Sequence, residues 1–325
     1  MKPSLAQASG RRESSMFEAF VFVDWSAACG VRPAMPRRDA IWSAEFHVDS
    51  DSPKEKYHPS RAECFDHVIK ILCDHAGKNR RVLVGFDFPY GYPAGLTRAL
   101  SLPATSQKKW SAIWDEITAR VEDDARGMNI RFQIAGELNC RGANGKPGPF
   151  WGCPVGSHIA NLAPRSPGFP FYAGNGVMLQ AKRQVEQRLR GTQEAWKLFG
   201  NGSVGSQALT GIPYVNRLRR NPQLTKFSRV WPFETGFTPN PIPNQGPFIL
   251  HAEIWPGVVE QRVRDLVRAE PGMIRDKAQV RAMCRWAAEN DNQGALGKFF
   301  SIPRNLSQQQ IQICVEEEGW VLGAV

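Results

Sequence analysis

Asp24 closes the run AFVFVD (residues 19–24), and Asp87 closes RVLVGFD (residues 81–87). Unbroken apolar runs of this length read as strands buried on both faces. Open α/β sheets take ligands in the crevice beyond the carboxyl ends of such strands. If the two strands are neighbours, the carboxylates lie roughly 5 Å apart, the spacing of adjacent strands. Like charges that close raise one pKa or hold a cation between them. Oxygen-rich sets of this kind select Mg2+ or Mn2+. The structural alternative is that each Asp closes an Asx turn, Asp24 ahead of Ser26 and Asp87 ahead of Phe88-Pro89.

Glu253, in HAEIWP, is a third acid inside a late apolar strand, where a charge is costly unless paired or bound to metal. It is therefore a candidate catalytic residue and metal ligand alongside Asp24 and Asp87. An edge strand with Glu253 facing solvent is the alternative. Asp276 opens a helix in RDKAQV, where a favourable charge in the first turn is the simpler account. Glu234 in WPFETG is a further acid near a strand end.

Residues 199–213, FGNGSVGSQALTGIP, contain Gly200, Gly202 and Gly205 at the spacing G-x-G-x-x-G. The preceding QEAWKLF is a poor strand, which argues against a dinucleotide fold. A Gly-rich loop entering a helix can still cradle phosphate on its N–H groups. Gly202, Gly205 and Ser206, with Arg217 further along the helix, are the candidate anion-binding set. The alternative is a tight loop followed by a solvated basic helix. Cys64, His67, Cys73 and His75 share one helix, and its 3.6-residue period turns Cys73 away from Cys64 and His75. A zinc site there is not expected. Cys140 and Cys153 bracket a Gly-rich loop but lack a second pair of ligands. Ser206 lacks the G-x-S-x-G elbow of a serine hydrolase.

These residues need a sheet to hold them. Residues 40–48, AIWSAEFHV, read as a second strand, paired as a hairpin with the first. A helix follows from His58-Pro59-Ser60 to about residue 75, with Phe65, Val68, Ile69 and Leu72 as its apolar stripe. The strand, helix, strand order makes the 19–24 and 81–87 strands parallel. Helices are expected over 106–126, 181–190, 204–220 (interrupted at Gly211 and Pro213), 258–269 and 275–290. Strand character returns at 229–234 and 248–255. Residues 127–176 form a Gly/Pro-rich stretch without regular structure. Residues 1–18 read as a floppy leader.

The chain has 325 residues, 42% hydrophobic and 22% charged, the composition of a globular protein rather than a disordered one. No apolar run approaches the ~20 residues of a membrane span. Seven cysteines, an odd number, read as reduced thiols and a cytoplasmic location. A net charge of +10 favours polyanionic partners, nucleic acid or a phosphorylated small molecule, over a membrane.

The hairpin beginning VDWS, the helix, and the strand ending GFDFPYGYP resemble a family of uncharacterised proteins classed as predicted RNase H-like nucleases. HAEIWP, RDKAQVRAMCRWA and EEEGWVLGA resemble its C-terminal part. The likeness covers residues 20–92 and 248–325, leaving 93–247 as a large insertion. It implies an α/β fold, a mixed sheet of order 3-2-1-4-5 with flanking helices, in one domain over 19–325. It implies Asp24 as the first-strand acid, Asp87 as the fourth-strand acid and Asp276 as a last acid on a late helix. Glu253 occupies the late-strand motif. The activity implied is metal-dependent phosphodiester hydrolysis on nucleic acid. The same fold also hosts phosphotransferases and non-catalytic binding proteins.

Overall fold

Phe20, Val21, Phe22, Val23, Val82, Leu83 and Val84 are fully buried, and they put the centre of the sheet between two layers. A computed structural model describes residues 15–33, 35–36, 39–103, 105 and 108–325. Its main sheet has six strands. They are β1 (Ala19–Asp24), β2 (Ile41–His47), β3 (Lys54–His58), β4 (Arg81–Phe86), β7 (Ser228–Val230) and β8 (Phe248–Glu253). β5 (Phe171–Tyr172) and β6 (Met178–Leu179) form a separate small hairpin. The order across the main sheet is β3-β2-β1-β4-β8-β7, one strand more than the five expected. β1 pairs antiparallel with β2 and parallel with β4, and β8 runs parallel to both β4 and β7. The edge strand β3, KEKYH, is polar and was not read as a strand from sequence. Its lysines face outward along an edge that charge keeps from pairing with other chains.

One face carries α1 (Arg61–Gly77) and helices of the 93–247 segment. These are α2 (Leu96–Ala99), α3 (Lys109–Thr118), α4 (Arg131–Gly142) and α6 (Val204–Arg220), while α5 (Gln184–Arg188) of the same segment places Val185 in the core of the other face. The Ser60 hydroxyl caps α1 by accepting from the Glu63 N–H at 3.2 Å. The other face is covered by α7 (Glu260–Ala269), α8 (Arg275–Asn292) and residues near the C-terminus, with α9 (Gln308–Ile313) leading into a π-helical turn at Cys314–Glu318. Ala278, Ala282, Met283 and Cys284 of α8 pack against Phe20, Phe22, Trp42 and Ala44.

Three expectations need correction. α4 lies inside the stretch read as irregular. Its Gly136 does not break it; an added Cβ there would meet the Ala160 carbonyl oxygen at 2.2 Å, so the glycine lets a loop cross the helix. α6 runs unbroken through Gly211 and Pro213, with the buried face from Leu209 to Leu218 overriding poor propensity. The described end of the leader is docked, not floppy: Phe17 is fully buried, and the Asp291 carboxylate accepts from the N–H groups of Met16 and Phe17 at 2.9 Å each. Residues 1–14 lie outside those described. Among the described residues no helix is long and apolar enough to cross a membrane.

The 93–247 segment is tied to the sheet by one buried cation. Arg183 donates through Nη2 to Glu253 Oε1 at 2.6 Å, through Nη1 to Glu253 Oε2 at 2.8 Å, and through Nε to Glu186 Oε1 at 2.8 Å. Its Nη1 also reaches the Glu318 carbonyl at 2.9 Å. Glu253 in turn accepts the Tyr90 N–H at 2.9 Å. Burial works against the charge on Arg183, but Glu186 and Glu253 push its pKa further upward, so it stays a cation. Removing one partner of a buried pair leaves the others uncompensated, typically costing about 3–5 kcal/mol. Arg183→Met should therefore lower unfolding free energy by about that much in urea titration. A loss below about 1 kcal/mol, the size of a surface pair, would show that this cluster does not hold the segment.

A crowded carboxylate cluster at the sheet edge

The last bonded pair between β1 and β4 is Val23 with Phe86, and Phe86 pairs across to Glu253. Successive side chains alternate between faces, so Asp24 and Asp87, one residue further, leave toward the opposite face from Glu253. Asp24 follows Phe22 onto the face covered by α8. There it meets Asp276, in the first turn of α8. The Asp87 N–H donates to the Val23 carbonyl at 3.2 Å, which carries the parallel ladder to the aspartates themselves.

The carboxylates crowd one another. Asp24 is 8% exposed, and its pKa is held well above the ordinary carboxylate range, first by burial, then by Asp87, Asp276 and Asp39, with Arg275 opposing. Asp87 is shifted the same way by burial and by Asp276, against the Trp25 N–H that donates to its Oδ1 at 2.6 Å. Asp276 is also raised, by burial and by Asp39, while the Ala40 N–H donates to its Oδ2 at 3.4 Å. The positive end of the α8 dipole faces the same acids and offsets part of the repulsion.

Of the residues singled out in the sequence, Asp24, Asp87 and Asp276 come together. Glu253 does not join them: the alternation of β8 points it at Arg183, which takes both of its oxygens. Glu234 lies at the sheet edge in a bidentate pair with Arg219, 2.7 Å through each oxygen. Among the described residues, no three His, Cys, Asp or Glu side chains converge as a ready metal cage.

The Gly-rich loop lies near the acids, but the helix start behind it offers no open N–H cradle at residues 204–206. Gln207 Nε2 donates to the Trp25 carbonyl at 2.6 Å, which puts the start of α6 one residue from Asp24. The first N–H groups of α6 are already used. Val204 donates to Gly202 at 2.9 Å, Gly205 to Lys197 at 3.0 Å and Ser206 to Ser203 at 3.1 Å, all to carbonyl oxygens. The Ser206 hydroxyl donates to the Leu198 carbonyl at 2.6 Å. Gly205 is a glycine because a Cβ would sit 2.4 Å from the Ala195 carbonyl oxygen. Arg217 stands over the Tyr214 ring, 5.5 Å from its centroid, and 3.9 Å from Glu122.

Two functional candidates carried no signal in the sequence. Trp25 is buried beside Asp24, with Nε1 donating to Thr210 Oγ1 at 3.2 Å. Arg131, 7% exposed, opens a helix inside the stretch read as irregular. Comparison of the chain with family models, with curated proteins and with solved structures gave no match.

Groups whose folded-state pKa is raised bind more protons folded than unfolded, so their contribution to stability falls as pH rises above the ordinary carboxylate value. Glu318, pushed up to about 7 by burial, acts in the same direction. Without divalent cations the protein should lose melting temperature between roughly pH 5 and pH 8. Asp24→Asn should raise the melting temperature at the upper end and flatten that fall. An unchanged slope would mean that Asp24 does not share charge with its neighbours.

Proposed function

We propose that the chain is a divalent-cation-dependent phosphoester-cleaving enzyme built on an RNase H-like core, with nucleic acid as its substrate. The observation that carries this is the placement of Asp24 and Asp87 at the carboxyl ends of adjacent parallel strands, with Asp276 turned onto them from α8. The strand order supports the core: with β7 assigned to the 93–247 segment, the remaining strands run 3-2-1-4-5.

The residues fit a hard cation. Their donors are all carboxylate oxygens, and their mutual repulsion is what a divalent ion relieves. Mg2+ is commonly held by one or two carboxylates, waters and substrate phosphate rather than by a full protein cage. Asp24 and Asp87 would hold the ion, with the charge of Asp276 nearby. When bound, such an ion supplies an activated water and stabilises the leaving oxygen of a phosphoester. The rest falls to the chain. The Trp25 N–H holds one oxygen of Asp87. The Ala40 N–H holds one oxygen of Asp276.

A small phosphorylated metabolite is the second reading. It is favoured by the burial of Asp24, only 8% exposed, which leaves little room for a duplex. Nucleic acid is favoured by the basic balance of the chain.

Mg2+ or Mn2+ should stabilise the wild type, by about 2.7 kcal/mol at a hundredfold excess over Kd, and should leave Asp24→Asn unmoved. Cleavage of single-stranded, double-stranded or hybrid substrates should need one of these ions and vanish in Asp87→Asn while binding persists. Turnover of a phosphorylated metabolite alone would select the second reading. No metal-induced shift and no cleavage of either class would refute the proposal.

A further inference from the structure

Arg131 is a buried cation without a counter-charge. Its Nε donates to Ser206 Oγ at 3.0 Å. Its Nη1 lies 2.9 Å from Cys29 Sγ and 3.1 Å from Asn129 Oδ1. The guanidinium also stands over the Phe132 ring, 4.4 Å from its centroid. Among the described residues no Asp or Glu lies within ion-pair distance, and Nη2 has no hydrogen-bond partner. Nη2 is not sealed away from solvent, because it is not among the fully buried polar atoms left without a partner.

The other buried arginines contrast with it. Arg183 meets two carboxylates, and Arg61 grips both oxygens of Asp123, at 2.6 and 2.7 Å. A nine-tenths-buried guanidinium held only by neutral groups, with Nη2 left open, is arranged for an anion from outside, since a buried charge is costly unless paired. Arg131 is also joined to the carboxylate edge. Its partner Ser206 precedes Gln207, whose amide holds the Trp25 carbonyl, and its partner Cys29 follows in the same loop. That loop is pinned from behind by Arg61, which donates to the carbonyls of Ser26 at 3.2 Å and Ala28 at 2.8 Å. The uncapped start of α4, where Arg131 sits, adds the positive end of a twelve-residue helix.

We propose that Arg131 binds a phosphate oxygen of the substrate from the α4 side of the loop that follows Asp24. This deepens the reading of the site as a phosphoester-cleaving centre and rests on it. Nη2 can donate to one phosphate oxygen while Nε and Nη1 hold the guanidinium in place, a fixed orientation that a flexible lysine would not give. The proposal also accounts for how an anion approaches an edge lined with acids: its charge is met on one side by the cation that the acids hold and on the other by Arg131.

Cys29 provides a local readout, because it is exposed and its sulfur touches the guanidinium. Cys140 is exposed on the same helix nine residues further on, roughly 13 Å away at 1.5 Å per residue, and serves as internal control. Wild-type protein in EDTA is alkylated with iodoacetamide, with and without inorganic phosphate, and each site is followed by mass spectrometry. Phosphate at twice its Kd should slow Cys29 labelling about threefold, the factor 1 + [L]/Kd, and leave Cys140 unaffected. Arg131→Gln should lose the protection, Arg131→Lys should keep part of it, and Asp24→Asn should keep all of it. Because no metal or turnover is involved, protection without cleavage would uphold Arg131 while sinking the enzyme reading. Equal labelling of Cys29 with and without phosphate in the wild type would overturn the proposal.

Discussion

The parallel register that sets Val23 beside Phe86 governs the whole carboxyl edge of the sheet. It brings Asp24 and Asp87 out side by side, and through the alternation of β8 it sends Glu253 to the other face. Each outcome creates a charge that the fold must accommodate. On one side, backbone N–H groups from Trp25 and Ala40 and the start of α8 soften the repulsion without cancelling it. On the other, Arg183 neutralises Glu253 and thereby fastens a long segment to the core.

That difference separates closed charge from open charge. Glu253, Glu186 and Arg183 form a closed set in which each ion has its partner and its hydrogen bonds. Asp24, Asp87 and Asp276 are open: their neighbours repel them. Arg131 is open in the opposite sense, a cation held by neutral groups. Strongly perturbed groups gathered at a ligand-binding edge are what active sites require, and they are retained against a stability cost. The two kinds of open charge share the loop after β1, so the negative and positive halves of the site are set by one short piece of backbone.

The sequence made the strands at 19–24 and 81–87 legible because residues buried on both faces leave an unbroken apolar run. The same runs located Asp24 and Asp87, and the opening of α8 located Asp276. β3 was hidden, since a polar edge strand has no apolar pattern to show. α4 was hidden because it lies inside a Gly/Pro-rich stretch, and its own Gly136 answers to close packing against the Ala160 carbonyl. The fate of Glu253 was beyond reach for another reason. An acid in an apolar strand announces that it needs a partner, but the partner, Arg183, is 70 residues away and nothing local points to it. The Gly-rich loop misled in the reverse way: its spacing suggested free N–H donors, and the bonds that consume them, to Lys197 and Ser203, exist only in three dimensions.

The carboxylate cluster also has a timetable. Its members stand at positions 24, 87 and 276, and Arg183 must wait for Glu253, 70 residues later, and for the carbonyl of Glu318, 135 residues later. A chain leaving the ribosome at about 5–20 residues per second therefore exposes its first two aspartates well before the helix that brings the third. Through that interval the insertion has a hydrated arginine and no glutamate at the sheet to receive it. Contacts of such long sequence separation form late and slowly. The three carboxylates can therefore meet only after the last helices emerge.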